Sequence, residues 1–375
     1  MCAGERCETT VSWIGVRIFA DGENRPRGRP NDAFSDAADE CQRPSGAAEC
    51  PHHNEIEILV TSQRDDAVVR LAMLYTFGHR HRARRHCSDK VAEQAARDRG
   101  CGQCRPCGMN RSDMCRTGLY AERGIWGLDG YQTELVVDRE PFIVRVAPEL
   151  EAVGVLAEPF SVAQKALSEA VHLQLTRLPD MATSLDWLSG KRCLVAGLGP
   201  IGLLAALSLR LRGAEVWGLD IVDADTARPR WLTLIGGHYI DGRQLTPNRP
   251  IDRTGTFDVI VEATGIARLE FDLLDALAMD GVYALTGIAG GDRPLNVDGS
   301  KIMRRLVLRN QVLVGSVNAS RDHFQRAVDD LALAETRWPH RIVDLITHRH
   351  RYSDFDAAFQ HHGADEIKVV LEWAA

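Results

Sequence analysis

The sequence predicts an α/β protein with a doubly wound parallel sheet, together with a second domain that carries a cysteine-rich loop. Two observations support this prediction. From Lys191 onward, short apolar runs alternate with helical runs, as in parallel strands that are joined by crossover helices. Upstream of that region, the segment CGQCRPCGMNRSDMC contains four cysteines at close spacing. The 375 residues are enough for two domains with substantial cores.

Composition limits the classes of function. The formal net charge of −7 argues against a general nucleic-acid-binding protein. Because the sequence has no apolar window of about 18 residues, we expect no membrane-spanning segment. No basic flank followed by an apolar core begins the chain, so we expect no signal peptide. Ten cysteines, four of them in one cluster, fit a reducing cytoplasm better than a secreted disulfide scaffold.

The cysteine cluster predicts a metal site. Two residues separate each of the first three cysteines, and seven separate the third from the fourth. One short loop with this spacing can place four thiolates around a tetrahedral zinc ion, and such a closed site is structural. Buried or disulfide-bonded cysteines are the alternative, but the glycines and Pro106 between them favour a tight metal-binding loop. The predicted zinc ligands are Cys101, Cys104, Cys107 and Cys115.

The segment Lys191–Asp220 predicts the start of the parallel sheet. Cys193–Ala196 is a short apolar run, which is typical of a buried parallel strand. Leu203–Leu211 consists of strong helix formers, and Glu215–Leu219 predicts a second strand that ends at Asp220. The order is therefore strand, glycine turn, helix, strand and acid.

The glycine turn of this segment predicts dinucleotide binding. Gly197, Gly199 and Gly202 form the pattern G-x-G-x-x-G between the first strand and the helix. The first two glycines allow a tight turn and close approach to a pyrophosphate, and the third allows the helix to pack on the strand. The helix N-terminus attracts the phosphates, and Asp220 can accept hydrogen bonds from a ribose.

Further elements continue the alternation. Predicted strands and helices follow at Phe257–Glu262 (strand), Leu269–Ala278 (helix), Gly281–Thr286 (strand), Val312–Val317 (strand) and Arg321–Leu333 (helix). The tail predicts a strand at Leu345–His348, a helix at Ser353–Gln360 and a strand at Lys368–Leu371. Before the sheet, Gln132–Val137 and Ile143–Val146 predict strands, and Val153–His172 predicts a helical stretch.

Residues 1–100 differ in composition from the rest of the chain. Gly22–Cys50 contains few large apolar residues and is predicted to be irregular or disordered. Glu55–Val60 predicts a strand, and Val68–Phe77 predicts a helix or a strand. The basic cluster Arg80–Arg85 is typical of a solvated charged face, although it also allows a nucleic-acid contact.

From about Cys101 to the C-terminus, the sequence resembles the zinc-dependent medium-chain dehydrogenase/reductase family, in its glucose 1-dehydrogenase branch. The motifs that carry this resemblance are CGQCRPCGMNRSDMCRTGLYAERGIWGLDGYQTELVV, LAEPFSVAQKAL, FDVIVEATG, GVYALTGIAGG and LVGSVNASRDHFQRAVDDL. The resemblance implies a Rossmann-type sheet beside a GroES-like β-rich domain. It also implies an enzyme that oxidises a glucose-like aldose to its lactone, with hydride transfer to NAD(P). Such enzymes are cytoplasmic homo-oligomers, so we expect a dimer or a tetramer.

The resemblance also implies a domain division. Residues 1–54 would be irregular, and 55–160 would form a partial GroES-like domain that includes the zinc lobe at 101–115. Residues 161–320 would form the Rossmann-type domain, and 321–375 would return to the GroES-like domain.

Site residues follow from the same motifs. Glu158 of AEPFSV corresponds to a carboxylate or amide at the catalytic zinc, Glu122 of YAERGI to a sugar-contacting carboxylate, and Asn318 of GSVNAS to a polar contact with substrate and nicotinamide. From the residues alone, a buried ion pair, a surface acid and a turn asparagine are the simpler interpretations. The implied cofactor-binding set adds Pro200, Ile201, Thr264 and Asn318 to the three glycines and Asp220.

The chain departs from this family upstream of the zinc lobe. The family has a catalytic cysteine in a C-G-T-D-like motif and a G-H-E motif, and neither occurs here. Gly78-His79 is followed by Arg80, so Cys50, His79 and Cys87 are only weak candidates for zinc ligands. An upstream segment that is read out of frame is one account, and true divergence with loss of the catalytic metal is the other. We therefore expect low activity, and a catalytically silent dinucleotide-binding zinc protein is the alternative.

The expected cofactors are zinc and NAD, with NADP less favoured. Asp220 is followed by Ile221, Val222 and Asp223, whereas NADP-preferring enzymes place arginines at this point for the ribose 2′-phosphate. Arg228 and Arg230 come later and flank Pro229. Two carboxylates would repel a phosphate dianion, and one can bind the free diol. A nucleic-acid-binding zinc module, which would need the arginine cluster, is a third interpretation.

Overall fold

A computed structural model describes residues 92–95, 98–131, 142–178, 185–245, 251–290, 294–360 and 363–373. The strands are β1 (Ala92–Ala95), β2 (Asp98–Arg99), β3 (Ala121–Arg123), β4 (Gly127–Leu128), β5 (Ile143–Val146), β6 (Arg192–Ala196), β7 (Glu215–Asp220), β8 (His238–Asp241), β9 (Phe257–Glu262), β10 (Leu277–Leu285), β11 (Val312–Gly315), β12 (Ile346–Arg351) and β13 (Lys368–Glu372). The helices are α1 (Arg105–Gly108), α2 (Ala157–Arg177), α3 (Pro200–Leu211), α4 (Ala227–Leu234), α5 (Ala267–Asp272), α6 (Gly299–Leu308), α7 (Arg321–Arg337) and α8 (Phe355–Ala358). Short 3₁₀ turns connect several of these elements.

Six parallel strands form the main sheet, in the order β11-β10-β9-β6-β7-β8. The chain starts in the middle at β6, builds outward to β8, then returns to β9 on the other side of β6 and builds outward again. The order of the strands therefore reverses between β6 and β9, and a crevice opens at this point outside the carboxyl ends of the strands. This topology confirms the predicted Rossmann-type doubly wound sheet.

Both faces of the central strands are buried, which explains why their sequences are largely apolar. Successive residues of β6 alternate between two hydrophobic clusters, with Cys193 and Val195 in one and Leu194 and Ala196 in the other. The first cluster lies under α2, α3 and α7, and the second lies under the segment that includes α5. A strand that is covered on both sides has no polar face, so its sequence does not alternate.

Three helices on one face are tied together by a buried polar network. The carboxylate of Asp330 on α7 accepts hydrogen bonds from Gln164 of α2 at 2.6 Å and from Ser208 of α3 at 3.1 Å. It also pairs with the guanidinium of Arg212, just beyond α3, at 2.7 Å. Because the partners of Asp330 come from α2 and from the C-terminal end of α3, this carboxylate on α7 fixes how the three helices pack.

Smaller sheets surround the cysteine loop. Strands β2, β3 and β4 form a three-stranded sheet, and the loop between β2 and β3 contains α1 and all four clustered cysteines. Strand β1 pairs antiparallel with β5, and β12 pairs parallel with β13. None of the helices that the structure describes is long and apolar enough to cross a membrane.

Several predicted elements differ from the observed ones. The helix predicted at Leu269–Ala278 is wrong in its second half, because α5 ends at Asp272 and β10 already begins at Leu277, which pairs with Phe257. An apolar run of this length is compatible with either state, and pairing with β9 decides it. Helix α3 begins at Pro200 rather than at Leu203, since proline is favoured in the first turn.

The sequence prediction also omitted elements and covered others that lie outside the described residues. Helix α4, edge strand β8 and helix α6 were not predicted; none of them has the buried apolar run of a central strand. The elements predicted at Glu55–Val60, Val68–Phe77 and Gln132–Val137 lie outside the described residues, as do Cys50, His79 and Cys87.

Replacing Asp330 with Ala should lower the free energy of unfolding by about 3 kcal/mol, because the guanidinium of Arg212 then loses its buried partner. Asp329→Ala is the matched control. Asp329 is the residue before Asp330 on α7, is exposed and accepts one hydrogen bond from Gln325, so we expect the free energy of unfolding to change by no more than about 0.5 kcal/mol. Urea unfolding followed by circular dichroism measures both. Equal losses for the two variants would contradict the role of the network.

Candidate active site and metal centre

The glycine turn after β6 has no room for side chains at two of its three glycines. Gly197 has a φ of +89°, and a Cβ there would lie 2.8 Å from the Thr264 side chain and 3.0 Å from the Ala263 carbonyl oxygen. A Cβ at Gly202 would lie 1.8 Å from the Gly197 carbonyl oxygen. A Cβ at Gly199 would instead meet no heavy atom within 4 Å, so the start of α3 faces open space. A phosphate group can approach the helix N-terminus there.

Asp220 is held at the end of β7 by the same turn. Its Oδ2 accepts a hydrogen bond from the Leu198 N–H at 2.9 Å, and its Oδ1 accepts one from the Ile221 N–H at 2.7 Å. The guanidinium of Arg228 on α4 lies 3.6 Å from Oδ2. The sequence places Arg228 later than the arginines of NADP-preferring enzymes, and α4 nevertheless brings it next to the carboxylate.

A second basic side chain, Arg243, lies close to Asp241, which pairs with Asp220 in the sheet. Arg243 pairs with Asp223 at 2.7 Å and with Asp241 at 2.9 Å. The hydrogen bonds from Arg243 lower the pKa of Asp241 to about 2. This end of the crevice therefore contains three carboxylates and two guanidinium groups, with Asp220 paired to Arg228 and the other two carboxylates paired to Arg243.

Glu262 is a buried carboxylate that the sequence prediction did not single out. It ends β9, has no exposed surface and accepts hydrogen bonds from the N–H groups of Thr264 at 2.6 Å and Gly265 at 2.9 Å, as well as from the Thr264 hydroxyl. Burial and then the charge of Glu262 raise the pKa of Glu270. Thr264, which the resemblance implies as a cofactor contact, is thus held in place by Glu262. The sequence feature that could have identified Glu262 is an acidic residue at the end of an otherwise largely apolar strand.

Glu122, Tyr120 and Asn318 form a hydrogen-bonded group. The Tyr120 hydroxyl donates to Glu122 Oε2 at 2.8 Å, and the Asn318 amide nitrogen lies 3.2 Å from the Tyr120 hydroxyl and 3.5 Å from Glu122 Oε2. Glu122 is only 5 % exposed, so the surface-acid interpretation is wrong. Its Oε1 has no hydrogen-bond partner among the described residues. The structure therefore brings together two predicted site residues from distant segments, and adds Tyr120.

Asn318 has a φ of +60°, which is unusual for a residue other than glycine. It lies three residues beyond the end of β11, at the same edge of the sheet as Thr264 and the glycine turn. Asparagine tolerates this conformation better than most residues do. The left-handed turn is what directs the amide of Asn318 toward Glu122 on the cysteine side.

Glu158 lies in the first turn of α2 and is 5 % exposed. Its backbone carbonyl oxygen accepts a hydrogen bond from the Ser161 hydroxyl at 2.6 Å. Among the described residues, the four-cysteine cluster is the only group of three or more histidine, cysteine or acidic side chains close enough to hold a metal ion. The donor set for a second, catalytic metal is therefore incomplete in this part of the chain.

The four clustered cysteines converge as zinc ligands would. Their Sγ atoms all lie within 4.8 Å of one another, with Cys104 Sγ 3.4 Å from Cys107 Sγ and 4.0 Å from Cys115 Sγ. A tetrahedral zinc ion with Zn–S distances of about 2.3 Å places its sulfurs about 3.8 Å apart. All four are free thiols rather than disulfides, and Cys101 Sγ accepts N–H bonds from Gln103 and Cys104. The spacing and the donors fit a zinc ion.

The thiols of this cluster differ in acidity. Hydrogen bonds from the Thr117 hydroxyl and from the N–H groups of Gln103 and Cys104 lower the pKa of Cys101 to about 6. Burial raises the pKa of Cys107 to about 12. Zinc binds thiolates, so metal binding releases the thiol protons that the free cluster holds, and zinc affinity falls as the pH falls.

Comparison with known proteins agrees with this geometry. Residues 151–373 match the family model described as glucose dehydrogenase C-terminus. Glucose 1-dehydrogenase 2 of Vulcanisaeta moutnovskia is 36 % identical over 262 residues, which are 69 % of this chain and 70 % of that protein. Glucose 1-dehydrogenase of Methanocella arvoryzae is 32 % identical over 274 residues, which are 73 % of this chain and 74 % of that protein.

Solved structures show the same relationship. Glucose dehydrogenase of Haloferax mediterranei, in complex with NADP, zinc and gluconolactone, superposes with a TM-score of 0.65 at 30 % identity. The match covers 75 % of this chain and 76 % of that one. An alcohol dehydrogenase of Thermotoga maritima superposes with a TM-score of 0.58 at 22 % identity, covers 75 % of each chain and shows the fold alone.

Replacing Cys104 with Ser should remove about one zinc ion per chain and destabilise the protein, because three thiolates hold a structural zinc poorly and its binding is coupled to folding. The control is Cys193→Ala, which removes a buried thiol in β6 and should leave the zinc content unchanged. Atomic emission on the purified chains gives the metal content. Full zinc content in the Cys104 variant would refute the assignment.

Proposed function

The chain belongs to the glucose dehydrogenase family of zinc-dependent medium-chain dehydrogenases, and from this premise we propose that it oxidises a glucose-like aldose to its lactone. In this reaction the C1–H bond breaks, and its electron pair leaves with the hydrogen as a hydride that reduces a nicotinamide ring. The hydroxyl at C1 loses its proton, and C1–O becomes the carbonyl of the lactone. Atoms and charge balance with NAD(P)⁺ as the oxidant.

One observation carries this proposal: the amide of Asn318 meets Tyr120 and Glu122 across the crevice. Asn318 follows β11 of the nucleotide-binding sheet, whereas Glu122 lies in β3, beyond the cysteine loop. A nicotinamide at the carboxyl edge of the main sheet and a sugar between this sheet and β3 would therefore both lie next to the contact between Asn318 and Glu122. A buried carboxylate with an available oxygen can accept hydrogen bonds from sugar hydroxyls, and Glu122 is of this kind.

The cofactor contacts of the proposal follow from the turn after β6. Gly197, Gly199 and Gly202, with Pro200 and Ile201 in the first turn of α3, would receive the pyrophosphate. Asp220 would accept the ribose hydroxyls, and Thr264, held by Glu262, would contact the nicotinamide half.

Glu158 is proposed as a ligand of a catalytic zinc. A zinc ion bound beside the sugar hydroxyl would act as a Lewis acid and make that hydroxyl easier to deprotonate. The described residues contribute only this carboxylate, and Cys50, His79 and Cys87 lie outside them. Slow turnover therefore stays a prediction.

The remaining proposals concern assembly and location. We propose a homo-oligomer, because the cysteine loop and its surroundings expose large apolar side chains at Met109, Leu119 and Trp126. The domain limits at residues 54, 160 and 320, and a cytoplasmic location, also stay proposals. The five cysteines of the described residues are free thiols, which supports a reducing compartment.

The first test of the function is the Glu122→Gln variant. It should lower kcat/KM for glucose by about 10- to 100-fold, because a charged hydrogen-bond acceptor is worth about 1.5–3 kcal/mol. Glu149→Gln, at an exposed acid, should leave kcat/KM unchanged. Formation of reduced cofactor at 340 nm measures both, and binding of gluconolactone to the same samples is a second readout.

Turnover by the unmodified chain should stay well below the roughly 10 s⁻¹ of a typical enzyme, because the motifs for the catalytic metal are missing. Zinc-dependent turnover at that rate would contradict this expectation. If the zinc-loaded chain neither oxidises glucose nor binds gluconolactone, the catalytically silent alternative replaces the proposal.

The cofactor test compares NADH with NADPH. We propose a preference for NAD, because a 2′-phosphate dianion would approach Asp220, Asp223 and Asp241, whose charges exceed those of the two nearby arginines. Asp220→Ala should weaken NADH binding about tenfold and strengthen NADPH binding, whereas exposed Asp225→Ala should change neither. Fluorescence titration gives the dissociation constants. Tighter binding of NADPH to the unmodified chain would overturn the preference.

A further inference from the structure

Lys165 is a buried cation that the proposed reaction does not use. It lies in the middle of α2, and its side chain is 1 % exposed. Its ammonium group donates to the Asp113 carboxylate and to the Val317 carbonyl oxygen, the latter at 2.6 Å. A buried ammonium needs such partners, because taking a charge out of water is costly.

The two partners of Lys165 belong to the two sides of the crevice. Asp113 lies in the cysteine loop between Cys107 and Cys115, in a short 3₁₀ turn. Val317 is the residue directly before Asn318, whose left-handed backbone directs its amide toward Glu122. Lys165 therefore lies between the metal-binding loop and the turn that presents Asn318.

Further contacts indicate that this arrangement is specific. Arg111, on the same loop as Asp113, pairs with Glu169, which lies one helical turn after Lys165 on α2. Glu158 lies seven residues before Lys165 and therefore on the same helix face. One face of α2 thus carries the proposed metal ligand, the buried ammonium and the docking site of the cysteine loop.

We propose that Lys165 is a positioning residue that holds the Val317–Asn318 turn in place for the sugar, with the zinc-ordered loop as its support through Asp113. The role of Asn318 at the sugar rests on the proposed function. The contact that Lys165 makes between the cysteine loop and the Val317–Asn318 turn does not rest on the proposed function, and a separate measurement tests it. The zinc ion of the four-cysteine site, which does not itself contact the sugar, would thereby contribute to sugar binding.

The experiment uses the full chain loaded with zinc, in three variants. Lys165→Met removes the ammonium and keeps most of the side-chain volume. Asp113→Asn keeps the shape of the partner and removes its charge. The double variant removes both charges, so it leaves no uncompensated buried ion and should fold where Lys165→Met alone fails. Lys191→Met is the control: it removes a lysine that pairs with Asp258 at the amino end of the sheet, away from the crevice.

The first readout is hydrogen exchange at two amides that flank the turn. The Ser316 N–H is bonded to the Leu285 carbonyl oxygen, and the Ser320 N–H is bonded to His323 Nδ1. In Lys165→Met and in the double variant, exchange at these amides should rise at least tenfold, while β6 and β9 keep their protection. Cys104→Ser, which loosens the loop, should produce the same local change.

The second readout is ligand binding. Lys165→Met and the double variant should bind gluconolactone at least tenfold more weakly, while NADH affinity stays within about twofold and the zinc content stays at one per chain. Lys191→Met should match the unmodified chain in every measurement.

The outcomes separate the two proposals. Unchanged exchange at Ser316 and Ser320 in the double variant overturns the positioning role, as does loss of protection throughout the sheet, which would make Lys165 a general stability residue. If the unmodified chain does not bind gluconolactone, the proposed function fails, and the exchange measurement still decides whether Lys165 links the loop to the turn. If Lys165→Met and the double variant lose as much affinity for NADH as for gluconolactone, the proposal is also overturned.

Discussion

Parallel strand direction is the constraint on which the arrangement of this protein depends. Because the six strands of the main sheet run the same way, every loop that follows a strand leaves at one edge. The glycine turn after β6, Asp220 at the end of β7, Thr264 after β9 and Asn318 after β11 are therefore neighbours, although more than a hundred residues separate the first from the last. The reversal of strand order between β6 and β9 opens the crevice that these groups line.

Burial of both faces of the central strands limits which polar groups can lie within the sheet. The strands are covered by two hydrophobic clusters, so polar groups are admitted only where they are satisfied. Asp330 on α7 accepts hydrogen bonds from α2 and from the end of α3, and one carboxylate oxygen of Glu262 accepts hydrogen bonds from the loop that carries Thr264. These carboxylates cost desolvation, and their contribution is to select one arrangement of helices and loops rather than to add much net stability.

The cysteine loop is a separate substructure that is attached next to this edge. Its own order comes from four thiols at the spacing of a tetrahedral metal, and its attachment comes from the ion pairs of Arg111 and Asp113 with α2. The exposed Arg111 pair contributes little energy, whereas the buried Lys165–Asp113 pair is strict about geometry. The approach of Glu122 and Asn318 from opposite sides of the crevice thus depends on how the loop docks on α2.

The sequence by itself determined those features whose physics is local. The apolar runs of the strands, the glycine turn and the four clustered cysteines each lie within a few dozen residues, and steric and metal-ligand rules act on them directly. Tertiary structure alone decided the contacts between remote residues. Arg228 turns back to Asp220, Tyr120 joins Glu122 and Asn318 across 196 positions, and Lys165 reaches Asp113 and Val317. The periodicity of the sequence does not encode such pairs, because they follow from how the helices and loops pack against each other. A single lysine or tyrosine in the sequence does not indicate which residue it will contact.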